Sequence, residues 1–388
     1  MQKMRSLFHL RCVRVLMVIL GMVSLAAVLI GFTWSAAASP APILKPTSPE
    51  NAACLSCHSK PDINRPMPSG ETLVLTVDTD YFAASAHSGL ACTDCHTDIT
   101  SFPHPDLKPQ TLREFSLQMY TTCQQCHAEQ YTRTLDSVHQ RALASGNFNA
   151  AVCTDCHNPH TQTRITDPAS GEILPDARLH IPTTCARCHS AIYEHYTQSM
   201  HGTALTEENN LDVPTCIDCH GVHNIGDPTT ATFRLNSPLI CATCHTDPAI
   251  MDKYGISAQV LNTYVADFHG TTVTLFEPKS PDQAVNKPVC YDCHGVHDIM
   301  RTDDPAHGIA LKENLLTTCQ KCHPDATANF PDAWLSHYVP SPEKYPVVYY
   351  VNLFYNIFIP SVIGGMVIFV LSDIYRRLIE GRKGAKHA

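Results

Sequence analysis

The pentapeptide Cys-x-x-Cys-His occurs nine times in this chain, and its copies take eighteen of the nineteen cysteines. They are Cys54, Cys57, His58; Cys92, Cys95, His96; Cys123, Cys126, His127; Cys153, Cys156, His157; and Cys185, Cys188, His189. The remaining four are Cys216, Cys219, His220; Cys241, Cys244, His245; Cys290, Cys293, His294; and Cys319, Cys322, His323. Two thiols separated by two residues reach both vinyl groups of one haem as thioethers, and the adjacent His then lies under the iron as an axial ligand. The pattern therefore predicts nine covalently attached c-type haems. Zinc ribbons also use paired cysteines, but they would take the CxxC units two at a time, and nine is odd. A disulfide scaffold leaves the histidines unexplained. His makes up 23 of 388 residues, so nine chance histidines at nine set positions have a probability on the order of 10⁻¹¹, against a pattern that haem attachment requires.

Residues 51–340 hold the motifs at about one per 32 residues, too little chain per haem for a conventional apolar core. Porphyrins must then form the core, with short helices and extended coil around them. Frequent proline, 28 residues in all, supports the short elements, and folding is expected to depend on haem insertion. The motifs group into a two-haem module repeated four and a half times. In each, one motif leads into a short helix ending in a further His, a second motif follows, and one more His lies beyond it. The helix histidines are His87, His139, His201, His269 and His337, and the trailing ones are His104, His160, His223 and His297. His104 alone departs from a three-residue spacing behind its motif. Five and four make nine, so each iron is expected to carry two His ligands. His180, His195 and His307 are left over, although His180 precedes Cys185 by the same five residues that separate His87 from Cys92 and could displace one of the nine.

Both ends are apolar. Lys3, Arg5, Arg11 and Arg14 precede an apolar run, Val15 to Phe32, and then a small-residue stretch, Ser35 to Ser39, which is the pattern of an export segment over 1–38, either cleaved or retained as an anchor. Cys12 precedes that run and reads as a free thiol without function. Residues 39–50 form a linker. A second apolar segment predicts a transmembrane helix over 345–375, with a basic cytoplasmic tail over 376–388 carrying Arg376, Arg377, Arg382, Lys383 and Lys386. The haem region, 51–340, is thereby placed on the periplasmic or extracytoplasmic side of the cytoplasmic membrane. Tyr345, Tyr349 and Tyr350 suit the outer aromatic belt. Asn352, Asn356, Ser361, Gly364 and Gly365 suit a surface packed on other helices, or else a solitary anchor with its asparagines near the headgroups.

The net charge of −9 averages unlike parts. The terminal segments hold nine of the 27 basic residues but only Asp373 and Glu380 of the 36 acids, leaving 18 basic residues against 34 acidic ones. An acidic exported region disfavours nucleic-acid binding and suits either partners with a basic docking surface or a solvated face with no specific partner.

On these motifs and this histidine pattern, residues 51–340 resemble the membrane-anchored multihaem cytochromes c, a superfamily that includes the small class III cytochromes, the quinol-oxidising donors of periplasmic reductases and the octahaem tetrathionate reductases. The resemblance implies electron traffic between membrane quinone chemistry and periplasmic or extracellular redox proteins. Quinol-oxidising donors have an N-terminal anchor and four or five haems. Nine motifs and a C-terminal helix look more like a subunit docked on a membrane cytochrome b or another quinone-reactive subunit. Two imidazoles per iron leave no open coordination position, which favours low-potential electron transfer over catalysis. The alternatives are a reductase with one open haem and the subunit of an extracellular cytochrome filament. His337 precedes the membrane segment by about ten residues, which suggests that the haem of His323 lies near the membrane and exchanges electrons there.

Overall fold

A computed structural model of the chain describes residues 48, 50–101, 103–105, 108–276, 283–333, 337, 339–343 and 345–384. The expected export segment, Cys12, nearly all of the linker and the end of the basic tail lie outside the described residues. The described chain is mostly helical, with coil between short helices, and ends in one long apolar helix. It divides into two compact units, Met1–Leu112 with His157–Ala177, and Arg113–Cys156 with Arg178–Ala388.

In the first unit, the helix Asn51–His58 carries the first motif and the one-turn helix Cys92–Cys95 the second. Between them a two-stranded antiparallel hairpin pairs β1, Asn64–Pro66, with β2, Thr72–Val74, in the register Arg65↔Leu73. The helix Thr79–Ala84 starts where the Asp78 carboxylate accepts the Asp80 and Tyr81 amides.

The second unit repeats one plan. The fifth and seventh motifs close longer helices, Pro175–Ala186 and Ala231–His245, and the ninth sits at the end of Lys312–Gln320. The fourth, sixth and eighth form helices of about one turn, Cys153–Cys156, Cys216–His220 and Cys290–His294. Helical hairpins follow the third, fifth and seventh motifs. They are Ala128–Thr134 with Val138–Ala144, Ser190–Gln198 with Met200–Thr206, and Val260–Ala266 with Phe268–Thr274. Here the expectation of a His at a helix end is corrected. Ser137, Ser199 and Asp267 break the chain by capping the second helix, accepting the Gln140, Gly202 and Phe268 amides, so that His139, His201 and His269 open it. His87 lies in a turn and His337 in a bend.

Little apolar surface is buried. Tyr264, Val273 and Val289 form the buried cluster, with Leu235, Leu261 and Tyr291 packed on it.

The helix Pro346–Gly384 includes an apolar span, Pro346–Arg377, whose most apolar stretch has a mean hydropathy of 2.2 and is wholly unburied. At 1.5 Å rise per residue it is long enough to cross a bilayer. It also extends beyond the expected limit of 375, because Asp373 pairs with Arg376 and Arg377 one turn on and keeps the basic end helical. Asn356 donates to the Asn352 side chain at 3.1 Å, so these two amides satisfy each other along one face.

Candidate haem sites

Seven motif histidines each face a non-motif histidine across a narrow gap. Ring centres lie 6.1 Å apart for His58 and His104, 6.1 Å for His96 and His160, and 6.2 Å for His139 and His189. The separations are 6.2 Å for His201 and His245, 6.0 Å for His220 and His297, 6.4 Å for His269 and His323, and 6.2 Å for His294 and His337. Direct ring stacking would bring the centres closer. With metal–nitrogen bonds of about 2.0 Å and a ring nitrogen about 1.1 Å from its centre, one metal held between two imidazoles sets the centres about 6.2 Å apart. The residues therefore fit a haem iron ligated from both faces.

No family model, curated protein or solved structure matches the chain.

The pairing follows the modules. The fifth, seventh and ninth motifs face the hairpin histidine of the preceding module, His139, His201 and His269. The second and sixth motifs face the trailing histidine of the following module, His160 and His297. The first motif takes His104 from its own module, which accounts for the irregular spacing of that residue, and the eighth takes His337. The expectation that tied His337 to the His323 haem is thereby corrected: the last His before the membrane helix faces His294, while His323 faces His269.

The same backbone tie recurs behind the hairpin or turn histidines. The Ala86, Val138 and Met200 amides donate to the Gln162, Ile225 and Ile299 carbonyls at 2.7, 2.9 and 2.8 Å, each acceptor being the fifth residue after a motif His. His87 thus holds in the first unit the position that His139 and His201 hold in the second. Its Nδ1–H donates to the Pro159 carbonyl at 3.0 Å, and that of His58 to Leu75 at 2.8 Å, an arrangement that would direct Nε2 toward a metal. His157 shares a 3.1 Å hydrogen bond with Gln162, and His127 opens the helix Ala128–Thr134. His223 follows Gly221, whose φ of 77° lets the chain turn out of the sixth motif as Gly295 does, at 85°, before His297. His180 and His195 are exposed on helices, and exposed His307 lies 3.5 Å from Asp304.

Burial, and then the facing His245, brings His201 down to about 4; burial, and then His337, does the same to His294. Both imidazoles are neutral at physiological pH, the form that binds metal. Among the described residues the eighteen motif cysteines form no disulfides. Within each module the first thiols of the two motifs meet: Cys54 with Cys92, Cys123 with Cys153, Cys185 with Cys216 and Cys241 with Cys290. Between modules of the second unit, Cys156 lies beside Cys185 and Cys188, Cys219 beside Cys241 and Cys244, and Cys293 beside Cys319 and Cys322. From the third motif to the ninth, successive motifs are thus spatial neighbours in chain order.

One set of residues was missed at the sequence level. Asp94, Asp155, Asp218 and Asp292 fill the second variable position of the second motif in every complete module. Each carboxylate accepts the amide just before the motif, from Ala91, Val152, Thr215 and Val289 at 2.6 to 2.8 Å, and so folds the one-turn helix. Three of them also take an arginine from the helix leading into the module's first motif. Arg113 meets Asp155 at 2.8 Å, Arg178 meets Asp218 at 2.8 Å and Arg234 meets Asp292 at 2.7 Å. In the first module, buried Asn51 serves instead, donating to the Leu90 carbonyl at 2.9 Å and accepting the Cys92 amide at 2.8 Å. The alternation of Asp between motifs was the available signal.

Proposed function

We propose that this chain is a membrane-anchored, nine-haem c-type cytochrome that carries electrons between a membrane quinone-reactive partner, such as a cytochrome b, and periplasmic or extracellular redox proteins. The observation that carries this reading is the seven imidazole pairs, each joining a motif His to a His outside the motifs at 6.0 to 6.4 Å. When bound, c-type haems supply one-electron redox chemistry. The protein's part is to hold each iron with two neutral imidazoles, which leaves substrates no coordination position, and to set attachment points side by side. The thiol contacts that link successive motifs favour a continuous hopping path over isolated centres. The exposed apolar helix Pro346–Gly384 supports a membrane location for one end of that path.

The test is covalent haem quantified per chain, with low-temperature electron paramagnetic resonance of the oxidised protein in detergent. Nine haems with only low-spin signals are expected. A stoichiometric high-spin signal would mean an open iron and put a reductase in place of a carrier.

A further inference from the structure

The segment between the ninth motif and the membrane helix holds no Cys-x-x-Cys-His, yet it repeats the rest of a module's second half. In the second, third and fourth modules the aspartate of the second motif stands five residues before the trailing His: Asp155 before His160, Asp218 before His223 and Asp292 before His297. Asp332 stands five residues before His337. In the third and fourth modules an arginine seven residues ahead of the first motif pairs with that aspartate, Arg178 with Asp218 at 2.8 Å and Arg234 with Asp292 at 2.7 Å. Lys312 lies seven residues ahead of Cys319 and pairs with Asp332 at 2.7 Å. The backbone turn is shared too. The Asp155, Asp218 and Asp292 amides donate to the carbonyls of Val152, Thr215 and Val289, three residues back, at 3.0 to 3.1 Å. The Asp332 amide donates to the Asn329 carbonyl at 3.3 Å, beside the 3-10 turn Pro331–Ala333.

The histidine pairs agree with this register. His160 and His297, trailing histidines of the second and fourth modules, face the second motif of the module before. His337 does the same, facing His294 of the fourth module's second motif at 6.2 Å. Spacing, ion pair, turn and facing histidine all make His337 the trailing His of the fifth module instead of a hairpin His. Phe330, Ala333 and Trp334 then stand where Cys290, Cys293 and His294 stand in the fourth module. Phe330 packs on His323 with ring centres 5.1 Å apart, so this position meets the ninth motif as the first thiol of a second motif meets the first motif in complete modules. Resting on the haem reading above, we infer that residues 329–337 are the second half of the fifth module without a haem of its own. The segment keeps the fold and the iron ligand of a second motif, gives His337 to the eighth iron and ends the array at the ninth. Phe330 is 42 % exposed, so the place beside the ninth site that a tenth haem would take is open to solvent.

The experiment uses the full chain purified in detergent, with covalent haem counted per chain by intact mass and spin states read by electron paramagnetic resonance. Phe330→Cys, Ala333→Cys and Trp334→His together complete a tenth motif. The triple variant is expected to carry ten haems, nine of them low-spin as in the wild type and one high-spin, because no following module supplies the tenth iron with a second His. Ten haems with fewer than nine low-spin would overturn the inference, since a haem attached out of register pulls His337 from the eighth iron; nine haems alone would overturn it as well. Should the triple variant fail to accumulate, two insertions of a single Ala decide. One placed after Ala333 breaks the spacing from Asp332 to His337 and is expected to turn one haem of nine high-spin, whereas one placed after Pro340 is expected to turn none. Equal spectra from the two insertions would show that His337 is held by a slack tether and not by a module's register. Wild-type protein without covalent haem would remove the electron-carrier reading and this inference with it, whereas nine haems in the wild type with any of those contrary results would remove this inference alone.

Discussion

Gly202 follows His201 in a tight helical hairpin, and on the proposed haem reading a single methyl group there should detach one axial ligand. A Cβ built on Gly202 would lie 1.7 Å from the Tyr196 carbonyl oxygen, where real contacts do not fall below 3.0 Å. The two helices must therefore separate by at least about 1.3 Å, or the second must rotate, before Ala fits. His201 is one residue away and faces His245 at 6.2 Å. Metal–ligand distances tolerate about 0.2 Å, so the hairpin cannot absorb the methyl and keep the bond. Gly202→Ala is expected to cost at least about 1 to 3 kcal/mol of stability, the range for overpacking a close contact. It should also convert one haem of nine to a high-spin or alternatively ligated form. Gly226→Ala is the control, because its Cβ would meet only the Phe233 ring, at 3.8 Å, and is expected to change stability by less than about 0.5 kcal/mol. Absorption and electron paramagnetic resonance spectra with haem quantified, together with thermal unfolding, read both effects. A Gly202→Ala protein with a wild-type low-spin spectrum and unchanged midpoint temperature would refute the argument.

Three further expectations follow from the same geometry. His87→Ala should lose one bis-His signal and His180→Ala none, because His87 holds the position of His139 and His201 while His180 is exposed on its helix; equal loss from both would reverse that assignment. Stability should fall as the pH drops from about 6.5 towards about 4, since His201 and His294, brought down to about 4 mainly by burial, stay neutral in the fold while the unfolded chain takes up protons first. Iron ligation acts in the same direction, and a thermal midpoint that is flat across that window would contradict it. Asn51→Ala removes two hydrogen bonds from a side chain of 1 % exposure, with an expected loss of about 1 to 3 kcal/mol; an unchanged unfolding midpoint would show that the Asn51 link between the first two motifs is dispensable.

The motifs, the module length and the apolar C-terminal helix were legible in the sequence because each depends on local spacing. Ligand pairing was not, because it depends on which modules meet in space. His104 stood out by its spacing, and that irregularity turned out to mark a histidine that faces a motif of its own module. The hairpin caps were also hidden. Ser137, Ser199 and Asp267 lie inside what reads as one short helix, and only the capping geometry reveals that the His opens a second helix instead of ending the first. Gly202 and Gly270 follow from that break: where one residue joins the helices, a Cβ would meet the preceding carbonyl at 1.7 or 2.0 Å. The hairpin with His139 spends three residues, Leu135 to Ser137, on the same turn and accommodates Gln140.

The pairing pattern has a consequence for assembly. His139, His201 and His269 each serve a motif in the following module, and His160 and His297 each serve one in the preceding module. With irons in place as proposed, neighbouring modules are cross-linked by coordination bonds, whereas the buried apolar cluster draws on few residues, Tyr264, Val273 and Val289 among them. Order then comes from the haems more than from a polypeptide core. Loss of one attachment site in the middle of the array removes the iron that joins two modules, while loss of the first removes a link confined to its own module through His104. Replacing Cys185 and Cys188 with Ala should therefore impair accumulation of the whole protein more than replacing Cys54 and Cys57, as measured by folded protein and residual haem per chain in membranes. Equal accumulation of the two variants would mean that the modules fold independently and that the crossed ligands are not what holds them together.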